Sequence, residues 1–374
     1  MKLLVCAGGT GGGIYPALAA VSALRKRALP TDHILWVGTK GEMEEKLVPR
    51  EGLALTTIRG GAIAGVALPK KVINGAKLAW SVGTAVSLVR RFQPDVMFMT
   101  GGYMAAPVTI ACRLLGVPIV IYLPDVEPGA SIRFAVRHAA KIAATTDGSA
   151  QYVPTEKLVV TGYPVRPELR AATRLTKAEA LSQFNLTPDR PTLFVFGGSR
   201  GAWAINEALM THLPALLEKA QIIHISGTLT WDKVAANAET LPPELRRYYR
   251  PYPYLHSEMG AAFRSADLVL SRAGASMLGE APAFGVPAIL TPLTWAWRYQ
   301  KVNADYLTDR GAAVQLTDDR LVDELLPTVT DLLFNQERLA AMAAASKALD
   351  VPDAVDRLAD VITAVSRQKE GVTA

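Results

Sequence analysis

Two glycine-rich segments of this chain contain the residue types that bind phosphate groups through the protein backbone. The first is GGTGGG at 8–13 and the second is GGSRGA at 197–202, and each follows an apolar run. A strand that ends in glycines and leads into a helix lets backbone N–H groups approach an anion, with the positive end of the helix dipole directed at it. The two segments therefore predict one phosphate-binding loop in each half of the chain.

Two further segments place polar groups after an apolar run. The sequence TGGY at 100–103 predicts a binding loop, because open α/β sheets bind ligands at the carboxyl ends of their strands. The sequence SRAGASMLGE at 271–280 predicts a helix over 274–284 that begins at Gly274. Glu280 would lie just under two turns into this helix, where its carboxylate can bind both ribose hydroxyls of a nucleotide whose phosphates lie at the helix start.

Another segment has groups that suit a sugar. Tyr299 and Gln300 lie at the start of a predicted helix and follow a loop that contains Trp295 and Trp297. Amide groups bind sugar hydroxyls, and aromatic rings cover the apolar face of a sugar. Together with the phosphate loops and the candidate ribose carboxylate, these residues indicate a nucleotide-sugar ligand.

Several other chemistries lack the residues that they need. A dinucleotide site needs G-x-G-x-x-G and an acidic residue closing the second strand, but position 14 is Ile14 and the second apolar run ends with WVGT at 36–39. The absence of G-x-x-x-x-G-K-[ST] and G-x-S-x-G motifs argues against P-loop and serine-hydrolase chemistry. The five histidines are scattered, and DVE at 125–127 resembles a D-x-D metal motif only weakly. The sequence predicts no metal and no cofactor.

Composition favours a globular α/β protein with two domains. The chain has 374 residues, more than one core usually supports, and half of them are apolar. Its two cysteines, Cys6 and Cys112, predict buried free thiols and a reducing compartment. The first residues are too few for a signal peptide, and the longest apolar run, 101–124, contains Arg113 and prolines. We therefore expect a soluble or peripheral protein.

The net charge of +6 is unevenly distributed along the chain. Residues 1–165 contain 18 Lys and Arg against 10 Asp and Glu, a balance of +8, and the remaining 22 and 24 leave −2. The basic residues around the apolar stretch 72–89 form either a solvated helix face or a surface that docks on anionic lipids. Nucleic acid is not expected as a partner, because no aromatic residues alternate with these charges. The basic residues are Lys70, Lys71, Lys77, Arg90 and Arg91.

Strand-length apolar runs alternate with helical patterns in both halves, as in the βαβ units of a parallel sheet. We expect Rossmann-like domains at 1–164 and 191–350, a linker region at 165–190, and a C-terminal helix at 351–374 that packs back across the domains. Predicted strands lie near 2–7, 33–37, 95–100, 117–122, 141–145, 157–161, 192–196, 221–225, 266–270, 287–290 and 312–315. Predicted helices lie near 16–29, 72–92, 104–115, 202–219, 274–284, 300–310, 320–335 and 353–367.

The order of these motifs resembles the MurG family from residue 3 to about 357. Members of this family transfer N-acetylglucosamine from its UDP derivative to undecaprenyl-linked lipid I, which gives lipid II in bacterial peptidoglycan synthesis. The resemblance implies a GT-B fold, in which two Rossmann-like domains with parallel sheets face each other across a cleft, and an inverting, metal-independent transfer. The motifs are GGTGGG, TGGY, GYPVR at 162–166, GGSRGA, HISG at 224–227, SRAGA at 271–275, Glu280 and RYQKVNA at 298–304.

The resemblance also implies roles for individual residues. Glu280 would bind the ribose, Ser199 and Arg166 the diphosphate, the backbone near Tyr254 and Leu255 the uracil, and Gln300 the donor sugar. The predicted donor set is Arg166, Ser199, Arg200, Tyr254, Leu255, Gly274, Ala275, Ser276, Glu280, Tyr299 and Gln300. The predicted set for the polyprenyl-diphosphate acceptor is Thr10, Gly11, Gly12, Gly13, Gly101, Gly102 and Tyr103. The family would act at the cytoplasmic face of the cell membrane as a peripheral protein.

This chain departs from the family pattern at four positions. Gly13 stands where the family has a histidine suspected of catalysis, and Asp125 stands where it has an asparagine. Met277 replaces a usual threonine, and Tyr299 replaces the first of two glutamines. Since Gly13 cannot act as a base, Asp125 is the first candidate general base. Glu127 is the second.

Three other functions remain open at this point. The same donor chemistry could act on another lipid or on a natural-product acceptor. The chain could bind UDP without catalysis, because the usual histidine is missing. A sugar-nucleotide epimerase on a similar pair of Rossmann-like domains is the third alternative.

Overall fold

The structure is a computed structural model, and it describes residues 1–9, 11–58, 68–198, 201–293 and 298–372 of the chain. The chain divides into two compact units, each with its own buried core. The first unit comprises Met1–Pro164 and Pro352–Ala374, and the second comprises Val165–Val351. Each unit is built on one parallel sheet.

A seven-stranded parallel sheet forms the centre of the first unit. Its strands are β1 (Leu3–Cys6), β2 (Ile34–Thr39), β3 (Ala54–Ile58), β4 (Val96–Met99), β5 (Ile119–Leu123), β6 (Lys141–Ala144) and β7 (Leu158–Val160). They lie in the order β3-β2-β1-β4-β5-β6-β7, and every neighbouring pair is parallel. Because the strands run in one direction, the loops that follow β1, β4 and β5 leave the same edge of the sheet.

Buried residues cover both faces of this sheet. Side chains alternate along β1, so Leu4 and Cys6 join one buried cluster while Leu3 and Val5 join another. Burial on both faces explains why the strands appear as continuous apolar runs in the sequence. The helices of this part are α1 (Gly11–Lys26), α2 (Glu44–Arg50), α3 (Leu68–Phe92), α4 (Ala105–Leu114) and α5 (Ala130–Val136).

A six-stranded parallel sheet forms the centre of the second unit. Its strands are β8 (Thr192–Phe196), β9 (Gln221–Ile225), β10 (Tyr249–Tyr252), β11 (Leu268–Ser271), β12 (Ala288–Leu290) and β13 (Ala313–Gln315). Their order is β10-β9-β8-β11-β12-β13. Strands β8 and β11 are therefore neighbours, and the glycine segments that follow them leave adjacent strand ends.

The first helix of the second unit begins two residues after the unit itself, which starts at Val165. Residues 165–190 contain two short helices, and a Cβ added to Gly260 would lie 2.5 Å from the Cβ of Ala172. These helices therefore pack closely on the second unit. The helices are α6 (Pro167–Ala172), α7 (Lys177–Ser182), α8 (Trp203–Leu217), α9 (Trp231–Glu239), α10 (Pro243–Arg246), α11 (Met259–Ser265), α12 (Glu280–Phe284), α13 (Arg298–Asp309), α14 (Leu321–Phe334) and α15 (Gln336–Ala348).

The last helix, α16 (Ala354–Val372), packs on α1 in the first unit. Arg27 forms ion pairs with Asp356 and Asp360 across this contact. The apolar face of α16 is buried in the same cluster as β1 through Leu358, Ala359, Ile362 and Val365. Among the described residues, no helix combines the length and the apolar character that crossing a membrane would need.

All eleven predicted strands are present, and their ends lie within two residues of the expected positions. Two further strands were not predicted. The missed strands, β3 and β10, lie at the edges of their sheets. Strand β10 contains Pro251, which cannot donate a ladder hydrogen bond and is tolerated at an edge. Strand β3 is largely solvent-accessible, so it lacks the continuous apolar character of the central strands.

Candidate active site

Two glycine loops of the first unit lie against each other at the carboxyl ends of β1 and β4. Gly9, Gly101 and Gly102 have φ values of +86°, +120° and +99°, which L side chains rarely adopt. A Cβ atom on Gly102 would lie 3.2 Å from the backbone nitrogen of Gly8, so the two predicted binding loops are in direct backbone contact. Tyr103, next in the second loop, is 55% exposed.

The first turn of α1 contains most of the other predicted acceptor residues. Gly11, Gly12 and Gly13 begin the helix, and the N–H groups of a first helical turn have no intrahelical acceptors. The Thr100 hydroxyl donates to the carbonyl of Gly13 at 2.8 Å, and a Cβ on Gly13 would lie 3.1 Å from that hydroxyl oxygen. Thr10 lies outside the described residues. Gly13, which stands where the family has a histidine, is thus hydrogen-bonded to the TGGY loop.

A buried carboxylate that the sequence analysis did not identify lies beside the first loop. Glu44 is the first residue of α2, and its side chain is fully buried. Its Oε2 accepts from the N–H of Gly9 at 3.1 Å, and its Oε1 accepts from the N–H of Thr39 at 2.9 Å. A carboxylate five residues after β2 therefore occupies the space behind the loop. The helical position of Glu44 gave no sign of this role, which depends on packing between elements.

The two candidate bases follow β5 and differ in their surroundings. Asp125 is half-buried, whereas Glu127 is buried and accepts from Arg133 Nη2 at 2.9 Å. The start of the loop is held by the Thr145 hydroxyl, which donates to the carbonyl of Pro124 at 2.8 Å. Glu127 is therefore ion-paired within its own segment.

In the second unit, a cavity of about 450 Å³ lies at the carboxyl ends of β8 and β11. The GGSRGA loop contributes Gly197, Gly198 and Gly201 to its lining, and the segment after β11 contributes Gly274 and Ser276. Two predicted phosphate-binding segments are therefore brought to one cavity. Ser199 and Arg200, the polar residues of the first segment, lie outside the described residues.

A chain of buried hydrogen bonds lies behind the GGSRGA loop. The Nδ1 of His224 lies 2.7 Å from the hydroxyl of Tyr249, and its Nε2 lies 3.0 Å from Oδ1 of Asn206. Because an amide oxygen only accepts, Nε2 carries the proton and Nδ1 accepts from Tyr249. The amide nitrogen of Asn206 donates to the carbonyl of Ser226 and to the hydroxyl of Thr230. Burial lowers the pKa of His224 to about 3, so the ring is neutral near pH 7.

This network holds the carbonyl against which the loop packs. The Thr230 hydroxyl also donates to the Ser226 carbonyl at 2.7 Å, so that oxygen accepts from two side chains. Gly201 has a φ of +84°, and a Cβ added to it would lie 2.2 Å from the same oxygen. Only glycine fits at position 201. The HISG segment therefore supports the loop from behind.

Glu280 begins a helix and does not lie two turns into one, as the sequence predicted. The expected continuous helix over 274–284 is wrong, because Ala275–Leu278 form a 3₁₀ turn and α12 begins at Glu280 itself. Pro282 has no N–H to donate to the carbonyl of Leu278, and it lies in the first turn of α12, where a helix tolerates a proline. Glu280 therefore lies at the start of a helix.

Glu280 is paired with Arg166 in the same unit. Glu280 is buried, and the Nη2 of Arg166 lies 3.9 Å from its Oε1. Burial raises the pKa of Glu280, while Arg166 and a hydrogen bond with Ser276 partly offset that rise. Arg166 also lies 3.8 Å from Glu168, whose side chain is 56% exposed. The predicted ribose residue and a predicted diphosphate residue are thus neighbours.

Residues distant in sequence hold the segment after β11. Arg272 donates to the carbonyl of Thr291 at 3.0 Å and pairs with Asp318 through both terminal nitrogens. Asn303 is fully buried and donates to the carbonyl of Ala273 at 3.1 Å. Arg272 and Asp318 also line the cavity. Asp318 gave no sequence signal, because the ion pair joins positions 46 residues apart.

The cavity brings together only part of the predicted donor set. Gln300 lines it and accepts from the N–H of Leu293 at 3.0 Å through Oε1. The ring of Tyr254 packs on His256, with centroids 4.7 Å apart, and Leu255 is buried. The described donor residues that do not line the cavity are Arg166, Tyr254, Leu255, Ala275, Glu280 and Tyr299. Within the described residues, no three His, Cys, Asp or Glu side chains are grouped to hold a metal ion.

Comparison with known proteins decides the family. A model for the glycosyltransferase family 28 N-terminal domain matches residues 3–144, and one for the C-terminal domain matches residues 192–358. A UDP-N-acetylglucosamine--N-acetylmuramyl-(pentapeptide) pyrophosphoryl-undecaprenol N-acetylglucosamine transferase of Roseiflexus sp. (strain RS-1) is 38% identical, with 96% of this chain and 94% of the relative covered. The crystal structure of MurG from Acinetobacter baumannii superposes with a TM-score of 0.76 at 26% identity, covering 96% and 99% of the two chains. The chain belongs to the MurG family.

The similarity to this family extends over nearly the whole chain. A transferase of the same name from Desulforudis audaxviator (strain MP104C) is 35% identical, covering 97% of this chain and 98% of the relative. The structure of CalG4, the calicheamicin glycosyltransferase, has a TM-score of 0.70 at 14% identity, covers 98% and 99% of the two chains, and shares the fold alone. The predicted fold class, a GT-B protein with two Rossmann-like parts, is confirmed. The predicted enzyme class, a hexosyltransferase, is confirmed as well.

Proposed function

We propose that this chain transfers N-acetylglucosamine from UDP-N-acetylglucosamine to lipid I, undecaprenyl-diphospho-N-acetylmuramoyl-pentapeptide, and so forms lipid II. The observation that carries this proposal is the near full-length similarity to relatives whose names state this sugar and this type of acceptor. Glycine loops at strand ends in both units support it, because the donor and the acceptor each contain a diphosphate.

The second unit would bind the donor. The diphosphate would lie at the cavity between the GGSRGA loop, with Ser199 and Arg200, and the segment Gly274–Ser276. Glu280 would bind the ribose hydroxyls, and Arg166 beside it would face the diphosphate. The backbone near Tyr254 and Leu255 would bind uracil, and Tyr299 and Gln300 would contact the donor sugar.

The first unit would bind the acceptor. The two glycine loops that touch at Gly8 and Gly102 would hold the acceptor diphosphate, with α1 directing N–H groups towards it. The TGGY loop also adjoins α5, since a Cβ on Gly101 would lie 3.5 Å from Ser131 Oγ. The segment before α5 contains Asp125, which would deprotonate the acceptor hydroxyl.

The reaction would be an inverting displacement at the anomeric carbon. As UDP leaves, its diphosphate gains negative charge, and backbone N–H groups at the starts of α8 and of the turn Ala275–Leu278 would stabilise it. Arg166 would add a positive charge. These groups are fixed before the reaction, so no reorganisation is needed as the charge develops.

The direct test uses the purified protein with a short-chain lipid I analogue and UDP-N-acetylglucosamine. We expect UDP release and formation of the disaccharide product at equal rates, because each transfer liberates one UDP. The measurement is paired detection of UDP and of the lipid-linked disaccharide. A reaction without acceptor serves as the control for hydrolysis.

Three outcomes would contradict the proposal and point elsewhere. Turnover with a different acceptor, but none with lipid I, would indicate another transferase of this family. Binding of UDP without turnover on any acceptor would indicate a non-catalytic protein. Conversion of the sugar nucleotide in the absence of any acceptor would indicate an epimerase.

We also propose that the first unit docks on an anionic membrane surface, at the cytoplasmic face, as a peripheral protein. Helices α3 and α4 pack together and carry exposed apolar side chains, with Trp80 58% and Leu114 68% exposed. Exposed cations end both helices, at Arg90, Arg91 and Arg113. Large apolar side chains with nearby cations suit a surface that contacts acidic headgroups.

Charge reversal tests this docking surface. Changing Lys70, Lys71 and Lys77 to Glu is expected to weaken binding to phosphatidylglycerol vesicles, because each basic residue near an anionic surface contributes about 1 kcal/mol. The side chains of these lysines lie outside the described residues. Co-sedimentation with anionic and with phosphatidylcholine vesicles, at low and high salt, measures the effect.

A matched variant reverses three exposed cations of the second unit, Lys219, Arg246 and Arg247. This control should bind the anionic vesicles as the unmodified protein does. Equal binding by both variants would dismiss the basic surface around α3 as a docking site.

A further inference from the structure

Glu44 is a buried carboxylate that accepts hydrogen bonds from two backbone N–H groups, which follow or end separate strands. Gly9 follows β1 and Thr39 ends β2, and each donates to a different oxygen of the carboxylate, at 3.1 Å and 2.9 Å. Among the side chains that the structure describes, no Lys or Arg forms an ion pair with Glu44. Burying a carboxylate without a cation is costly unless hydrogen bonds compensate, so these two N–H groups are what hold the carboxylate in place.

The surrounding backbone makes room for this side chain. A Cβ atom on Gly8 would lie 2.2 Å from Oε1 of Glu44, and one on Gly38 would lie 2.6 Å from its Cγ. Either atom would overlap the carboxylate or its stem. Gly8 in the first glycine loop and Gly38 on β2 therefore leave the space that the Glu44 side chain occupies.

We propose that Glu44 is a positioning residue that sets the conformation of the first glycine loop for binding the acceptor diphosphate. The inference rests on the proposed function of that loop. Gly9 has a φ of +86°, and its N–H points to Glu44 and is not available to a ligand. The N–H groups of the following turn, Gly11–Gly13, are then the ones that face the anion.

Two effects of Glu44 on anion binding have opposite signs, which makes the inference testable. Its negative charge behind the loop repels an anion, so a purely Coulombic role predicts tighter acceptor binding when the charge is removed. Its two hydrogen bonds hold the loop, so a positioning role predicts weaker binding. The direction of the change separates the two.

The Glu44→Gln variant is the main test, because glutamine has the same shape with one oxygen instead of two. One of the two N–H donors would then face an NH₂ group, and that hydrogen bond would be lost. We expect kcat/KM for the lipid I analogue to fall about ten- to hundredfold. The affinity for UDP, which binds the second unit, should change less than twofold.

The Glu45→Gln variant is a matched control. Glu45 lies next to Glu44 on α2, is only half-buried, and also accepts from a backbone N–H, that of Gly41 at 2.9 Å. Glutamine at this position removes the same charge outside the buried site and keeps one oxygen for the single backbone donor, Gly41. We expect acceptor kinetics within twofold of the unmodified protein.

A second readout does not depend on catalysis. Hydrogen exchange of the Gly9 and Thr39 amides should be slow in the unmodified protein, and at least one of the two should exchange at least tenfold faster in Glu44→Gln, while neither responds to Glu45→Gln. If Glu44→Gln does not fold, Glu44→Asp, which keeps both oxygens on a shorter stem, is measured in the same way and should weaken acceptor use.

The possible failures are distinguishable. If the unmodified protein does not use lipid I, the proposed function fails, whereas Gly9 exchange still reports on the loop. Unchanged or improved acceptor kcat/KM in Glu44→Gln, with lipid I turnover intact in the unmodified protein, would overturn the positioning role. Unchanged exchange of both the Gly9 and the Thr39 amides would overturn it as well.

Discussion

The Glu280→Ala variant is expected to lose the ability to distinguish UDP from 2′-deoxy-UDP. In the unmodified protein, a buried carboxylate that binds a ribose hydroxyl should favour UDP by about ten- to hundredfold, because hydrogen bonds to charged groups contribute about 1.5–3 kcal/mol. Without the carboxylate, both nucleotides should bind equally weakly. Isothermal titration of both nucleotides to both proteins forms a thermodynamic cycle that isolates this contact.

The Glu168→Ala variant is the control for charge. Glu168 and Glu280 both lie within 4 Å of the Arg166 guanidinium, at 3.8 Å and 3.9 Å, but Glu168 is exposed. Removing Glu168 should leave the preference for UDP intact. If Glu280→Ala still favours UDP over the deoxy form by the original factor, Glu280 does not bind the ribose.

The same contact should respond to pH. Burial raises the pKa of Glu280 above its usual range, with Arg166 and Ser276 opposing the rise. As the pH falls towards this raised pKa, the carboxylate gains a proton and loses acceptor capacity. The preference for UDP should therefore be full at neutral pH and shrink under acidic conditions, at a higher pH than for an exposed glutamate.

The second large effect is expected from Asp125→Asn. If Asp125 accepts the proton of the acceptor hydroxyl, its replacement by an amide should lower kcat by about 10²–10⁴-fold. Asparagine keeps the shape of the side chain, so acceptor KM and UDP affinity should stay within a few-fold. Steady-state kinetics with the lipid I analogue measure all three quantities.

The Glu127→Gln variant separates the two candidate bases. Glu127 accepts from Arg133 Nη2 at 2.9 Å, so losing its charge should mainly reduce thermal stability. The loss of kcat should be small in this variant and large in Asp125→Asn. Near-normal turnover of Asp125→Asn, or a larger kcat loss in Glu127→Gln, would remove Asp125 from the role of base.

Most of the fold could be predicted because its strands are buried on both faces. Central strands such as β1 and β8 form continuous apolar runs bounded by glycines, and this pattern is visible without tertiary information. Edge strand β10 was missed, since Pro251 and the polar side chains around it do not show that pattern. The continuous helix predicted over 274–284 is wrong, and Pro282 alone does not reveal the break, since α8 and α14 each continue through a proline.

The candidate site was predictable only where its chemistry is local. The glycine loops at 8–13 and 197–202 can be recognised from the sequence, because glycine is needed wherever the backbone must approach another group closely. Some of these glycines make room for groups of the protein itself and not for a ligand. Gly8 and Gly38 admit Glu44, and Gly201 packs on the carbonyl of Ser226.

The alternation of strands and helices can be read from the sequence alone, as can the two glycine loops at strand ends and the motif order of the family. These features depend on neighbouring residues, so they can be recognised without knowing how the chain packs. The distant side chains that support the loops become apparent only in the folded chain. Glu44 reaches Gly9 across 35 positions, His224 is linked through Asn206 to Ser226, and Asp318 pairs with Arg272 across 46. Such contacts arise from packing between elements, which no local pattern encodes.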